Sequence, residues 1–429
     1  MKRVLILGCN EITKRLLITL CEYQDLVSGI CLAAKERKDC DELKDLAASK
    51  GVRITTAGID VNNVEGAMMM VKIFAPDIIV NLLPSELTIG AMNLALKAKA
   101  DYIDANLAGV QDIPSISSLL SEQFSMFSEF QKNNKTAVCG TGFVPGVVNT
   151  IIRRAITHDF KKIESVDIVS LPEDKKAKGR ARKKAEIDGT LYYEDVKPSS
   201  NSSLSSFLNK IDPINKVFYI EDGTVVEADR YSVEAKSSSG NAVYLVSDII
   251  LTDILKEMPE VPNARFFKIS KKAKVEHVAP EKKIQLLSEL GLLSTEPVKV
   301  GDAMIAPIDL MEAVLPKMAD SVSDSEEIEE NVSGIASYEI YITGIDNEGN
   351  EAVKSFIIKG DNDLAYEKYE VNAFEEMKGT ALIAGVKMMC SDKWNKPGVF
   401  TPAAFDCDEY FDAFTAEGIA VTEGDKKPF

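Results

Sequence analysis

The residues whose types and spacing best suit chemistry lie in the first twenty positions. Lys2-Arg3-Val4-Leu5-Ile6-Leu7 has the apolar run of a buried strand, Gly8-Cys9-Asn10-Glu11-Ile12-Thr13 the composition of a tight turn, and Lys14–Leu20 that of a helix. A strand, a glycine turn and a helix N-terminus in succession form the corner of a dinucleotide site, where backbone N–H groups and the helix dipole meet a pyrophosphate. Of the three glycines such a corner usually carries, only Gly8 is present; Asn10 and Thr13 hold the second and third positions. Asn10 tolerates positive φ better than most residues. Thr13, on the packing face, is expected to hold the helix away from the strand. Gly8, Asn10, Glu11 and Ile12 therefore read as a cofactor turn with a loosened grip on pyrophosphate.

Further candidates recur at strand ends. The second strand ends in Ala33-Ala34-Lys35-Glu36-Arg37-Lys38. NAD sites usually place an acid there for the ribose 2′-hydroxyl; here Ala34 takes that place, and Lys35 and Arg37 suit a 2′-phosphate. NADP is therefore expected over NAD. Asp60 can reach an adenine amino group from the third strand, and Leu83-Pro84 follows the fourth, where the nicotinamide end passes. Asp104 closes the fifth strand and is the candidate acid/base, with capping of the following loop as its alternative role. Cys139, at the end of the sixth strand, is a second candidate catalytic group or else a core thiol. The run Cys139-Gly140-Thr141-Gly142-Phe143-Val144-Pro145-Gly146-Val147-Val148-Asn149 is a rigid glycine loop expected to expose backbone N–H groups. Gly142 and Phe143 are expected to cover the nicotinamide. Asn106, Pro145, Gly146, Asn149 and Arg153 are candidate substrate contacts.

These positions need a scaffold that delivers strand ends to one edge. Strands are expected at Val27–Ala33, Val52–Thr55, Asp77–Leu82, Asp101–Asp104 and Thr136–Cys139, alternating with helices at Asp39–Lys50, Val64–Phe74, Leu87–Lys97 and Ile116–Asn133. Such alternation gives an α/β, doubly wound parallel sheet whose ligands sit beyond the carboxyl ends. After Gly146 the character changes. Strands at Lys161–Leu171, Val217–Ile220, Phe266–Ile269, Ala336–Thr343 and Ala352–Ile358, helices at Glu281–Leu290 and Pro307–Pro316, and a hairpin turn over Gly344–Asn350 predict an α+β second domain. A basic stretch (Lys175–Lys184), a Ser-rich stretch (Ser199–Ser206) and an acidic stretch (Asp320–Glu330) read as solvated loops.

Bulk properties narrow the function. A chain of 429 residues exceeds a single ordinary core. A net charge of −17 argues against nucleic acid or an anionic membrane as partner. No apolar run reaches transmembrane length and no signal peptide is recognised. Seven cysteines, odd in number and without a CxxC pair, read as the reduced thiols of a cytoplasmic protein. Two histidines, His158 and His277, leave little for a triad or a histidine-rich metal site, and no metal is expected.

The chain resembles the saccharopine dehydrogenase family, most of all its lysine 6-dehydrogenase-type branch. The resemblance rests on Val4-Leu5-Ile6-Leu7-Gly8, on Asp77–Pro84 with Tyr102-Ile103-Asp104, on Gly142-Phe143-Val144-Pro145-Gly146-Val147-Val148-Asn149, and on Glu281–Val300. Lys396-Pro397-Gly398-Val399 and Gly418-Ile419-Ala420-Val421 add to it. It implies a Rossmann domain (1–145) whose sheet is completed by the C-terminal segment (379–429), an inserted α+β substrate and dimerisation domain (146–378), and a homodimer. It further implies hydride transfer at a CH–NH bond of an amino acid or its conjugate, of saccharopine or lysine type. Val144 stands where the family often has aspartate, and His277-Val278-Ala279-Pro280 departs from a PGH-like turn. Two other readings follow from the eroded glycine turn and from these departures. One is a relative that has lost its cofactor; the other is a polyamine-pathway enzyme, a carboxynorspermidine dehydrogenase or homospermidine synthase-like protein.

Overall fold

The computed structural model describes residues 1–23, 25–105, 122–172, 175–176, 184–187, 190–193, 216–229, 233–237, 242–269, 286–301, 303–314 and 332–426. The N-terminal part alternates β1 (Lys2–Leu7), α1 (Glu11–Glu22), β2 (Val27–Ala34), α2 (Asp41–Ser49), β3 (Thr55–Gly58), α3 (Val64–Phe74), β4 (Ile78–Asn81), α4 (Thr88–Ala98), β5 (Asp101–Asp104), the short α5 (Glu122–Ser125) and α6 (Phe127–Lys132), and β6 (Thr136–Val138). Every pairing in this sheet is parallel, in the order β3-β2-β1-β4-β5-β6 and then Gly398–Phe400. The C-terminal segment thus completes the sheet at its β6 edge.

Both faces of this sheet are covered, which is why its strands read as unbroken apolar runs. Val4 and Ile6 face one core, with Leu16, Leu20, Leu43 and the Ala373–Cys390 helix. Leu5 and Leu7 face the other, with Val71, Met92, Leu94 and Phe130. One strand differs from the sequence expectation: β3 begins at Thr55, not Val52. The Val52 amide still bonds the Ala47 carbonyl at 3.0 Å, so the chain is closing α2 where a strand was expected. The helix expected over Ile116–Asn133 is seen from residue 122 as α5 and α6, divided at Met126.

The second domain starts with α7 (Val147–His158) and β7 (Phe160–Pro172). Its mixed sheet runs Thr224–Ala228, Val217–Glu221, Ala264–Ile269, β7, Ile335–Asp346, Glu351–Asp361, Val421–Gly424. Glu234–Lys236 and Ala242–Leu245 join it at the Ala264–Ile269 strand. The hairpin turn over Gly344–Asn350 is in place, with the Asp346 carboxylate accepting from the Glu348 and Asn350 amides. The expected helix Pro307–Pro316 runs Pro307–Val314. Of the Glu281–Leu290 helix only residues from 286 are described. His277, the Ser-rich and acidic stretches and most of Lys175–Lys184 lie outside the described residues.

Candidate active site

Strand order reverses between β1 and β4, and such a switch point opens a crevice beyond the strand ends. Gly8 sits at it with φ +105, and a Cβ there would come within 2.8 Å of the Leu82 carbonyl. Asn10 does more than substitute for a glycine. Its Oδ1 accepts from the Thr13 amide at 3.0 Å and its Nδ2 donates to the Leu82 carbonyl at 2.9 Å, stitching the turn to β4. Thr13 is fully buried; its hydroxyl donates to the Gly8 carbonyl at 2.9 Å and accepts from the Asn10 amide at 3.3 Å. The two replacements form a capping box. Hydrogen bonds thus hold the turn at the two positions where glycines usually stand. The Glu11 and Ile12 amides, in the first turn of α1, have no intrahelical acceptor and suit a pyrophosphate. The Glu11 carboxyl is raised above its usual range, first by burial, against the pull of Lys14.

Beyond β2, Lys35 and Arg37 stand exposed. Lys35 lies 3.7 Å from Asp60, and Arg37 Nε donates to Thr56 at 3.1 Å. Asp60 accepts from the Asn62 amide as well, so it works as a loop anchor and as the partner of Lys35. Leu83 and Pro84 are half-buried at the mouth of β4, the Leu83 amide bonded to Asn81 Oδ1.

A second cluster lies at the ends of β5 and β6. Asp104 is buried, and its carboxylate accepts from the Tyr102 hydroxyl (2.8 Å), Gln123 Nε2 (2.7 Å) and the Gly140 amide (2.8 Å). Its own carbonyl takes the Thr141 amide at 2.7 Å. Asp104 therefore clamps the start of the glycine loop to β5. Part of the loop is paired internally: Gly146 donates to Asn149 Oδ1, Val147 to the Gly142 carbonyl and Val148 to the Phe143 carbonyl. The turn is tight enough that a Cβ on Gly146 would lie 2.0 Å from the Gly142 carbonyl. Pro145 and Gly146 are buried within it. Phe143 packs between Tyr338 (4.6 Å) and Phe414 (5.9 Å) in the core. Cys139 is fully buried, and burial with nearby Asp104 pushes its thiol well above the usual range, so it stays neutral. Arg153 bonds Glu260 and the Glu257 carbonyl, bracing the neighbouring helix. Asn106 lies outside the described residues.

The sequence reading missed the helix Ile249–Glu257, which the second domain lays against this cluster. Asn149 Nδ2 bonds Asp253 Oδ2, and Asp253 is 2% exposed with Oδ1 lacking a partner. Burial, then Glu257, pushes the Asp253 carboxyl up to about 7, while Lys256, Thr401 and Arg153 pull the other way. Lys256 Nζ lies over the Phe124 ring at 2.8 Å from its centroid and 3.1 Å from Glu257. Burial lowers its ammonium below the usual range, against Glu257, Asp253 and Cys139. A half-buried lysine beside a carboxylate of raised pKa is suited to proton transfer. The only sequence trace was the i, i+3 spacing of Asp253 and Lys256, which puts both on one helix face.

A doubly wound sheet with a glycine turn and a helix N-terminus at its switch point is the arrangement of a dinucleotide-binding fold. Residues 4–138 match the family model described as the saccharopine dehydrogenase NADP binding domain. The match spans the N-terminal domain alone. The chain is 24% identical to carboxyaminopropylagmatine dehydrogenase of Synechocystis sp. over 433 residues, covering 100% of this chain and 99% of that protein. It is 20% identical to carboxynorspermidine synthase of Vibrio alginolyticus, covering 93% and 91%. Among solved structures, apo saccharopine dehydrogenase (L-Glu forming) from Saccharomyces cerevisiae shares the fold with a TM-score of 0.65 at 14% identity, covering 100% of both chains. Among the described residues no helix is long and apolar enough to cross a membrane.

Proposed function

We propose that the protein is an NADP-dependent dehydrogenase acting on the carbon–nitrogen bond of a carboxylated polyamine, a secondary amine that joins an amino-acid-like arm to an oligoamine. The observation that carries this reading is the end-to-end alignment with carboxyaminopropylagmatine dehydrogenase. The charge pattern of one helix supports it. Lys256 and Glu257 stand side by side, offering an ammonium to a carboxylate and a carboxylate to an ammonium group. The overall balance of −17 favours a cationic ligand.

NADP, when bound, supplies the hydride acceptor. The chain's own residues do the rest. Lys256 Nζ, its proton loosened by burial, exchanges that proton with the substrate nitrogen. Asp253 orients Asn149 from behind and holds the helix that carries Lys256 against the glycine loop. Asp104 keeps that loop in register with β5. The Phe124 ring closes one side of Lys256 to water.

The test is a panel. Purified protein is given NADPH or NADP with carboxyaminopropylagmatine, carboxynorspermidine, saccharopine and lysine, and absorbance of the reduced nicotinamide is followed. Turnover confined to the two polyamine compounds supports the proposal. Turnover of saccharopine or lysine alone returns the substrate to the amino-acid type, and absence of saturable NADPH binding sinks the enzyme. Lys256→Met is expected to lower kcat at least a hundredfold, within the range of a lost general acid, and to leave NADPH affinity unchanged.

A further inference from the structure

Cys9 and Cys40 lie 31 residues apart in sequence, in what the sequence alone showed only as scattered thiols, yet their sulfurs stand 3.2 Å apart. Both are free thiols. Cys9 sits inside the glycine turn between Gly8 and Asn10 and is partly open to solvent. Cys40 is fully buried at the N-cap of α2, directly after the Lys35–Lys38 turn. A helix N-terminus favours a thiolate. The Cys9 thiol donates to Cys40 and lowers its pKa, although burial and the neighbouring Asp39 and Asp41 oppose this. We propose that Cys9 and Cys40 form a disulfide-bonding site that links the pyrophosphate turn to the basic turn beyond β2.

The step uses hydrogen peroxide as oxidant. One sulfur, as its thiolate, takes one oxygen and becomes a sulfenic acid, and the peroxide's second oxygen leaves as water with that sulfur's proton. The other sulfur then attacks the sulfenic sulfur; the S–S bond forms, the S–O bond breaks, and hydroxide leaves with the second thiol's proton as a second water. Two thiols lose one electron each and the peroxide is reduced by two. Cys9 lies inside the turn read as the pyrophosphate corner, so bound dinucleotide is expected to shield it. That last expectation rests on the dinucleotide reading; the cross-link itself does not.

The experiment treats the folded full-length protein with hydrogen peroxide, with and without NADPH, and maps disulfides by mass spectrometry without reduction. The expected result is a single Cys9–Cys40 cross-linked peptide pair, the loss of two titratable thiols, recovery with dithiothreitol, and absence of the pair in Cys40→Ala. Both thiols remaining free, or stopping as separate oxidised acids, overturns the proposal. Because the mapping is done on the unsubstituted chain, poor folding of Cys40→Ala does not decide it. Protection by NADPH, at least severalfold in rate, bears separately on the cofactor. A cross-link that forms equally fast with NADPH present keeps the disulfide site and counts against a dinucleotide lying over Cys9.

Discussion

The side-chain amide of Asn149 donates to the carboxyl of Asp253, 104 residues further along the chain, and this bond fastens the glycine loop to the second domain. Because Asp253 is 2% exposed and its carboxyl is pushed up to about 7, the bond is made in the fold by a group that stays protonated in mild acid. In the unfolded chain the same carboxyl titrates at its ordinary, lower value. Its contribution to stability is therefore complete at acid pH and disappears as pH rises through 7. The span corresponds to roughly 4 kcal/mol at about 1.4 kcal/mol per unit. Asp253→Asn is expected to flatten the fall in stability between pH 5 and pH 8, read by chemical denaturation at several pH values. A slope identical in the two proteins would show that Asp253 ionises normally.

Restoring the glycines of the cofactor turn is expected to harm the protein. Asn10→Gly with Thr13→Gly removes the capping box, leaves the buried Gly8 carbonyl without its hydroxyl donor, and places glycine in a helix. The cost is about 2 kcal/mol, seen as a lower denaturation midpoint. NADPH affinity is expected to stay level or fall. A tighter complex at unchanged stability would mean that Asn10 and Thr13 obstruct the pyrophosphate.

Cofactor choice is expected to follow Lys35 and Arg37. Both are exposed: Lys35 pairs with Asp60 at 3.7 Å, and Arg37 bonds the Thr56 hydroxyl. Replacing both by alanine is expected to weaken NADPH at least tenfold, about 1.4 kcal/mol, and to leave NADH alone. Nicotinamide fluorescence titration checks this, and the effect should shrink with added salt. Equal losses for the two dinucleotides would place these cations outside the 2′-phosphate pocket.

The parallel sheet was legible because β1, β2 and β4 are apolar runs followed by turns, and burial on both faces leaves no alternation to confuse. Thr55 was harder to place, since Val52-Arg53-Ile54 has strand-like residues that in fact close a helix. Around the site, Asp104 and the glycine loop were visible from residue type and position. Their internal pairing was not, because a loop rich in glycine looks the same whether its amides face a ligand or its own carbonyls. Asp253 and Lys256 escaped notice because their importance lies in what α7, Phe124 and Thr401 do to them, and those neighbours come from distant parts of the chain. Arg15, fully buried over Tyr369 at 3.9 Å and bonded to Thr380 at 3.2 Å, escaped for the same reason.

The seventh strand of the first sheet has a consequence for how the protein is made. Thr136 on β6 bonds the Lys396 carbonyl across 260 residues, and Gly398–Phe400 covers the β6 edge. On the ribosome, the nucleotide-binding sheet emerges with that edge bare and stays so while the whole second domain is synthesised. An open strand edge is a template for pairing with another chain. Cells starved of chaperones should therefore accumulate aggregates of the nascent chain, and a fragment ending before residue 398 should precipitate where the full chain stays in solution.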